Sequence, residues 1–282
     1  MYRYKLEYKG LYAPEKTMIG QCFRWQKRNG YFEGILDSAY FKILVENNFF
    51  LIETSKKFEE EDLYKKFDLL LDVQKIDKIL KKDLYLHNLW KRTEGIRLLK
   101  QPLFETIISF MISANNNIPR IQKSVETLSI LYGDLISTDK CTYFAFPNIK
   151  QMSKLSVEDF KDCGLGYRAI NVKLIVDNIN NGEFDLNTLE KLDTIEAKEM
   201  LMTQKGIGPK VSDCILLFGM HRTDMFPVDT WIKKALTMYG KYLNEDNIDI
   251  IKEQIVSKYG LLSGYIQQAM FYDLKWGGNN EG

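Results

Sequence analysis

The sequence contains few side chains from which a metal centre could be built. Its 282 residues include four cysteines and two histidines, and the cysteines (Cys22, Cys141, Cys163 and Cys214) form no C-x-x-C pair. This scatter argues against a structural zinc site or a disulfide framework and indicates a reducing compartment. No cysteine follows Cys214, which excludes a closely spaced four-cysteine iron–sulfur loop. We therefore expect no iron–sulfur cluster and no metal held by side chains.

Long apolar runs and a strong net charge are also missing. No stretch reaches the roughly eighteen apolar residues of a membrane span, and residues 1–5 do not begin a signal peptide. Lys and Arg number 39 against 38 Asp and Glu, which gives a formal charge of +1. Bulk charge therefore gives no indication of a nucleic-acid partner, which would need a local basic patch. We expect a cytoplasmic protein that has no membrane partner.

The first part of the chain has the pattern of an antiparallel sheet. Polarity alternates up to Asn29-Gly30, a strong signal for a tight hairpin, and a second strand follows at once. Another pair of strands is expected across residues 46–48. The predicted strands are residues 21–27, 31–36, 40–45 and 49–54. We assign residues 1–68 to an N-terminal antiparallel β domain.

From about Glu60 the hydrophobic period becomes that of helices. Residues 104–112 are apolar on nearly all sides, as in a helix buried within a bundle. Further signals are Pro119 in a first turn, capping-box patterns at Ser156 and Asp193, and a final helix over roughly 264–276 before a polar tail at 277–282. The sequence thus predicts an α+β fold, with a larger helical domain over residues 69–282 packed on the sheet. Its first helices can pack back on the strands.

A glycine pair separates a helix predicted to end near Met202 from one that starts near Pro209. Gly206 and Gly208 permit the positive φ of a tight turn and a close approach by another backbone. The N–H groups that open the second helix can bind a phosphate whatever the base sequence. A G-x-G before a helix is more often only a turn, so the motif needs support from its neighbours.

Lys210, Cys214 and Asp229 supply that support. Lys210 lies in the first turn of a predicted helix, where the macrodipole disfavours an ammonium. Attack on carbon requires a neutral amine, although a lone lysine is more often a solvated surface residue. Cys214 faces the same side, either as a small core residue or as a polarizable wall. Asp229 is predicted to be an N-cap, worth on the order of 1 kcal/mol, and a carboxylate held there can also stabilise positive charge on a sugar.

These residues resemble the helix-hairpin-helix DNA glycosylases that have a Gly/Pro-rich loop and an aspartate. Residues 205–214 and 226–229 carry the motif, and they look like the 8-oxoguanine DNA glycosylase/AP lyase branch. The similarity extends to residues 20–25, 95–99, 115–121, 164–169 and 264–271. Because these blocks follow the family's order over nearly the whole chain, the combination is specific.

The resemblance implies a bifunctional enzyme that flips 8-oxoguanine out of duplex DNA and excises it, preferentially opposite cytosine. Lys210 would be the Schiff-base nucleophile that attacks the sugar C1′, and β-elimination at the abasic site would follow. Asp229 would stabilise the oxocarbenium-like state. The backbone carbonyl of Gly20 would accept the N7–H that distinguishes 8-oxoguanine from guanine.

The resemblance also implies which residues would hold the flipped base. Cys214 and Phe271 would sandwich it, and Gln267 would read its Watson–Crick edge. Gln267 and Phe271 are four apart, on one helical face. Gln268 and Tyr272 have the same spacing, so the sequence does not decide whether Gln267 and Phe271 or Gln268 and Tyr272 are the pair that contacts the base.

On the other strand, the resemblance implies that Asn115, Arg120, Tyr167 and Arg168 fill the gap left in the duplex and recognise the orphaned cytosine. Tyr167 would wedge at the neighbouring step. Taken alone, either arginine could equally be surface charge. The expected partner is double-stranded DNA containing 8-oxoguanine, bound by a nucleoid-associated monomer.

The resemblance also implies roles for the hairpin. Gly206 and Gly208 would contact the DNA backbone, and their loop's carbonyl oxygens are candidates to hold a monovalent or divalent cation, although no cofactor is required.

The hairpin departs from the family pattern in one place, and the helix after Asp229 departs in another. Lys205 stands where the family usually has proline. Trp231 stands where eukaryotic members usually have a histidine that contacts a phosphate. That contact is in doubt here, although an indole N–H can still donate one hydrogen bond.

Two other functions remain as alternatives. A glycosylase for another lesion, such as an alkylated purine, is one; such relatives often lack the lysine, so Lys210 argues against it. A non-catalytic DNA-binding module that uses the hairpin only for phosphate is the other.

Overall fold

The structure is a computed structural model that describes residues 1–137 and 142–277. Cys141 and the predicted polar tail beyond residue 277 lie outside the described residues. Within those ranges, no helix has the length and apolar character needed to cross a membrane. The predicted fold class is confirmed, because an antiparallel sheet is followed by a mostly helical region.

Five strands form the N-terminal sheet in the order β1-β5-β4-β3-β2, and all neighbours are antiparallel. Both predicted hairpins are confirmed. Asn29 and Gly30 have φ values of 48° and 83°, the positive φ that a two-residue hairpin turn demands. The strands are β1 (Tyr2–Glu7), β2 (Trp25–Arg28), β3 (Tyr31–Leu36), β4 (Ala39–Glu46) and β5 (Phe49–Thr54), and a separate hairpin pairs β6 (Leu135–Ser137) with β7 (Thr142–Phe144).

The prediction of a strand from residue 21 was wrong for its first four residues, because the buried side chain of Gln21 bonds elsewhere. Its Nε2 donates to the Arg97 carbonyl at 2.6 Å, and its Oε1 accepts from the Leu99 N–H at 3.0 Å. Gln101 Nε2 donates to the Gln21 carbonyl at 2.8 Å. These bonds fix the segment that contains Gly20 against the chain that leads into the helices.

The predicted helices are present, and both predicted capping boxes are confirmed at Ser156 and Asp193. The helices are α1 (Pro14–Met18), α2 (Glu60–Lys66), α3 (Val73–Leu80), α4 (Leu84–Arg92), α5 (Leu103–Ser113), α6 (Ile118–Tyr132), α7 (Ile149–Ser153), α8 (Val157–Asp162), α9 (Ala169–Asn180), α10 (Leu186–Lys191), α11 (Thr194–Met202), α12 (Pro209–Cys214), α13 (Thr230–Leu243), α14 (Ile248–Tyr259) and α15 (Ser263–Trp276). A π-helical turn over Ile215–Gly219 extends α12. The helix expected to start near Tyr167 begins as a 3-10 turn, Gly166–Arg168, ahead of α9.

Two large hydrophobic clusters divide the core. One lies on the sheet, where the rings of Phe41, Phe50 and Phe67 pack together and Leu99 joins them from the following segment. The other fills the space among the helices from Val73 onward. Burying this much apolar surface is the main stabilising contribution to the fold. The domain boundary at residue 68 stays a prediction.

Candidate active site

The two hairpin glycines have different local surroundings. Gly206 has a φ of 94°, and a Cβ placed on it would lie 2.9 Å from the Asn171 side chain. Glycine is therefore needed there for both backbone conformation and packing. Gly208 is the N-cap of α12 with a φ of −97°, and a Cβ there would meet no atom within 4 Å. The second glycine thus leaves an open surface beside the start of α12.

Lys210 lies in the first turn of α12, and its side chain points into a cavity. Its Nζ donates to Ser113 Oγ at 3.3 Å and lies 5.4 Å from the centre of the Phe110 ring. Within the described part of the chain, no carboxylate oxygen lies within the 4.0 Å of an ion pair with this amine. Lys210 is therefore not a solvated surface lysine, and no salt bridge occupies its nitrogen.

Cys214 lies one turn beyond Lys210 on α12 and is buried at the cavity wall. Burial raises the pKa of its thiol to about 11, while the nearby Lys210 acts in the opposite direction. At neutral pH the side chain is therefore an uncharged, polarizable surface, and the sulfur does not compete with the amine as a nucleophile.

Asp229 caps α13, which confirms the predicted N-cap. Its Oδ1 accepts from the backbone N–H groups of Trp231 at 3.0 Å and Ile232 at 2.8 Å. The two bonds fix the carboxylate at the cavity wall without an ion-pair partner among the described residues. A carboxylate held in this way can stabilise a cation that forms in the cavity.

The cavity has a volume of about 440 Å³ and brings together residues that are far apart in the sequence. The predicted site residues that line it are Gly20, Asn115, Lys210, Cys214, Asp229, Trp231, Gln267 and Phe271. Its size suits one small planar ligand rather than a polymer. The nucleophile candidate and the proposed base contacts thus share a single cavity.

One stripe of α15 forms a wall of this cavity. Gln267, Phe271 and Lys275 are spaced four apart and all line it. Gln267 Nε2 donates to the Pro227 carbonyl at 3.1 Å, which fixes the amide. Gln268 also lines the cavity, and its Nε2 donates to Gln267 Oε1 at 2.7 Å. The predicted pair of Gln267 and Phe271 is therefore placed together at the cavity.

Gly20 faces two aromatic rings of α15. Its φ is 93°, and a Cβ there would lie 3.0 Å from Phe271 and 2.8 Å from Trp276. The Phe271 and Trp276 rings pack edge to face with centroids 5.6 Å apart. A side chain at position 20 would thus be strained and would push both rings, so this wall depends on glycine.

Comparison with known proteins matches two family models to consecutive parts of the chain, and the two matches meet within α5. Residues 9–107 match the family described as 8-oxoguanine DNA glycosylase, N-terminal domain, and residues 108–258 match the HhH-GPD superfamily base excision DNA repair protein. The second match alone covers more than half of the chain. The chain is a member of the HhH-GPD superfamily, in its 8-oxoguanine DNA glycosylase branch.

Several relatives of this branch are similar over long stretches. The N-glycosylase/DNA lyase OGG1 of Arabidopsis thaliana is 35% identical over 68% of this chain and 55% of its own length, so this chain spans about half of that relative. The Clostridium acetobutylicum 8-oxoguanine glycosylase/lyase, solved with double-stranded DNA containing cytosine opposite 8-oxoG, is 36% identical with a TM-score of 0.85, over 93% of this chain and 91% of that one. MBOgg1, solved with a low affinity DNA ligand, is 32% identical with a TM-score of 0.90, over 99% and 100%.

The predicted residues Arg120, Tyr167 and Arg168 of this HhH-GPD protein do not line the cavity, but they lie in or adjoin segment 114–121, which contributes to its wall. Tyr167 is 63% exposed, and the Arg168 guanidinium stacks 4.5 Å from its ring. Arg168 Nε donates to the Ala114 carbonyl at 2.6 Å and its Nη2 to the Asn115 carbonyl at 2.7 Å. Arg168 therefore holds the loop that contains Asn115, whereas Arg120 is exposed in the first turn of α6.

Several residues of the site were not predicted. Ser113 and Phe110 contact the Lys210 amine, and Trp276 covers Gly20. These contacts join distant parts of the sequence and leave no local pattern. Lys275 is different, because the spacing of four from Gln267 to Phe271 continues to it.

Proposed function

We propose that this protein flips 8-oxoguanine out of duplex DNA, excises it, and cleaves the strand at the resulting abasic site. The observation that carries the proposal is the pairing of Lys210, an amine without a carboxylate partner in the described chain, with the fixed carboxylate of Asp229 in one cavity. Such enzymes act on a base taken out of the stack. The DNA-bound relatives support a duplex as the substrate.

The chemistry follows from the two side chains. The Lys210 lone pair forms a bond to the sugar C1′ as the C1′–N9 bond breaks and its electrons remain on the base. Asp229 stabilises the positive charge that develops on the sugar. Opening of the sugar ring gives a Schiff base on Lys210. Loss of a proton from C2′ then expels the 3′ phosphate, which is the β-elimination step.

Selection of the lesion would come from the cavity walls. The Gly20 carbonyl accepts the N7–H that 8-oxoguanine carries and guanine lacks, which is one hydrogen bond in favour of the lesion. Phe271 and the uncharged Cys214 thiol enclose the base from two sides. Gln267, oriented by its bond to the Pro227 carbonyl, reads the Watson–Crick edge.

Selection of cytosine on the opposite strand is assigned to the residues that lie in or adjoin segment 114–121 of the cavity wall. Arg120 is exposed and reads the orphaned base together with Arg168, which can exchange its backbone contacts at Ala114 and Asn115 for the base. Tyr167, also exposed, wedges into the neighbouring step. This part of the proposal predicts slower excision when adenine replaces cytosine.

We assign the hairpin the role of binding the DNA backbone. Gly208 leaves open space for a phosphate beside the start of α12. The carbonyl oxygens of Lys205 and Ile207 accept no hydrogen bond from the described residues, and such oxygens are suitable ligands for a hard cation. We assign them a monovalent or divalent cation, with no cofactor required for the reaction. We further propose a monomer that works on DNA in the cytoplasm.

Borohydride trapping tests the chemistry. The protein is mixed with a duplex that carries 8-oxoguanine opposite cytosine, and borohydride reduces any Schiff base to a stable adduct. We expect an adduct with the unaltered protein and none with Lys210→Gln, which should still bind the duplex. Absence of an adduct from the unaltered protein would rule out the lyase mechanism. Equal excision opposite all four bases would count against the roles of Arg120 and Tyr167.

A further inference from the structure

Lys275 brings a second amine into the cavity that contains Lys210 and Asp229. Its Nζ lies 5.1 Å from the centre of the Phe271 ring and 4.9 Å from that of Trp276. Because an ammonium is attracted to the face of an aromatic ring, these contacts hold the amine at the cavity wall. A base stacked on Phe271 would lie beside it.

The Lys275 amine lacks a carboxylate partner that would account for its half-buried position. Within residues 1–137 and 142–277, no Asp or Glu oxygen lies within 4.0 Å of its Nζ. Asp273, from the same turn of α15, is held by Arg92 through two hydrogen bonds of 3.0 and 2.8 Å. Burial lowers the pKa of Lys275, and the Asp229 carboxylate opposes that effect. The amine has lost water without forming an ion pair within the described chain, and the Asp229 carboxylate acts on it only from a distance, so a closer anion in the cavity would be its natural partner.

A simpler explanation is that Lys275 only complements the dipole at the end of its helix. It does stand in the last turn of α15, where a cation is favourable. A fully solvated lysine would serve that purpose equally well. The dipole therefore does not explain why this side chain enters the cavity beside Phe271.

We propose that Lys275 stabilises the negative charge that develops on the base as it leaves, an inference that rests on the proposed function. When the C1′–N9 bond breaks, its electron pair stays on the purine while the Lys210 lone pair bonds to C1′. The departing base is then an anion, with charge shared by its carbonyl oxygens, until it takes a proton from water. An ammonium fixed beside the stacking ring lowers the energy of that anion.

This role makes only one of the two proposed reactions depend on Lys275. Base excision forms the anion and needs Lys275. Strand cleavage at an abasic site that already lacks the base needs Lys210 and forms no purine anion. A merely structural role for Lys275 would affect both reactions together.

The test compares the two reactions in Lys275→Met, which keeps the length of the side chain and removes its charge. We expect single-turnover excision of 8-oxoguanine opposite cytosine to fall about 100-fold, the scale of losing one charge-stabilising donor. Cleavage of a preformed abasic duplex should remain unchanged, and Lys275→Arg should recover most of the excision rate. Lys5→Met is the matched control, because Lys5 lies 4.0 Å from the Phe49 ring in the sheet.

The outcomes separate this inference from the proposed function. If the unaltered protein excised no 8-oxoguanine, both would be overturned. If it were active and Lys275→Met excised the base equally fast or faster, this inference alone would be overturned. An equal loss in both reactions would assign Lys275 a structural role and would likewise overturn it.

Discussion

Two lysines line the same cavity, one from the start of its helix and the other from the end of a different helix. Lys210 stands in the first turn of α12, whereas Lys275 stands in the last turn of α15. The helix dipole disfavours an ammonium at the first position and favours one at the second. The comparison suggests a division of labour within the proposed function: the amine at the helix start is the nucleophile, and the one at the helix end stabilises the departing base.

The two ends are also held differently. The α12 end depends on the glycine hairpin, in which Gly206 packs against Asn171. The α15 end depends on the side-chain pair between Asp273 and Arg92 of α4. Damage to the first should therefore slow both excision and strand cleavage, while damage to the second should slow only the departure of the base.

The largest effect is expected from Gly206→Ala. The added Cβ would be strained at a φ of 94° and would lie 2.9 Å from Asn171, so we expect a loss of about 1–3 kcal/mol in the free energy of unfolding. The hairpin must shift, and both excision and strand cleavage should fall together by at least about 10-fold through misplacement of Lys210. Urea unfolding and single-turnover rates measure the two effects.

Gly208→Ser is the matched control within the same hairpin. Its φ of −97° suits any residue, no atom lies within 4 Å of a new Cβ, and serine is a good N-cap. Stability should be kept while affinity for duplex DNA falls. If both variants were equally stable, the packing of Gly206 would not be what positions Lys210.

A smaller effect is expected from Arg92→Ala, which frees the end of α15. Because Arg92 is largely exposed, the free energy of unfolding should change by only about 0.5–1 kcal/mol. Excision should slow by about 10-fold or less as Lys275 and Trp276 lose their fixed position, and cleavage of a preformed abasic duplex should not change. Arg3→Ala removes a comparable surface pair with Glu53 and should alter neither rate.

Local patterns in the sequence explain why one helix end was predicted and the other was not. Lys210, Cys214 and Asp229 lie next to a glycine turn and a helix start, and both features are set by neighbouring residues. The spacing of four that predicts Gln267 and Phe271 on one face of α15 continues for one further turn to Lys275. A count of helical turns alone would have reached it.

Other parts of the site could not be predicted by any such count. Trp276 meets Gly20, and Ser113 meets Lys210, only after the sheet and the helices have packed. The same holds for Gln21, whose alternating neighbours predicted a strand while its buried amide bonds the backbone at Arg97 and Leu99. Tertiary hydrogen bonds outweighed the local β pattern there.

The smallest effect concerns stability alone, and it tests the dipole argument at a third helix end. Glu105 lies in the first turn of α5, whose last residue, Ser113, contacts Lys210. The dipole favours a carboxylate at that end. Burial nevertheless raises the pKa of Glu105 from 4.5 to about 7, against the lowering effect of Arg24. Desolvation therefore outweighs the favourable charges around this group.

The sign of the resulting pH dependence is fixed by that direction. Between about pH 4.5 and 7 the folded protein keeps a proton on Glu105 that the unfolded chain has released, so this contribution to stability is lost as the pH rises through 7. Glu105→Gln should flatten this part of the profile in urea unfolding, and Glu61→Gln, at an exposed ion pair with Lys65, should not. If Glu105→Gln left the profile unchanged, the pKa of Glu105 would not be raised on folding, and burial would not outweigh the opposing effects of the dipole and Arg24.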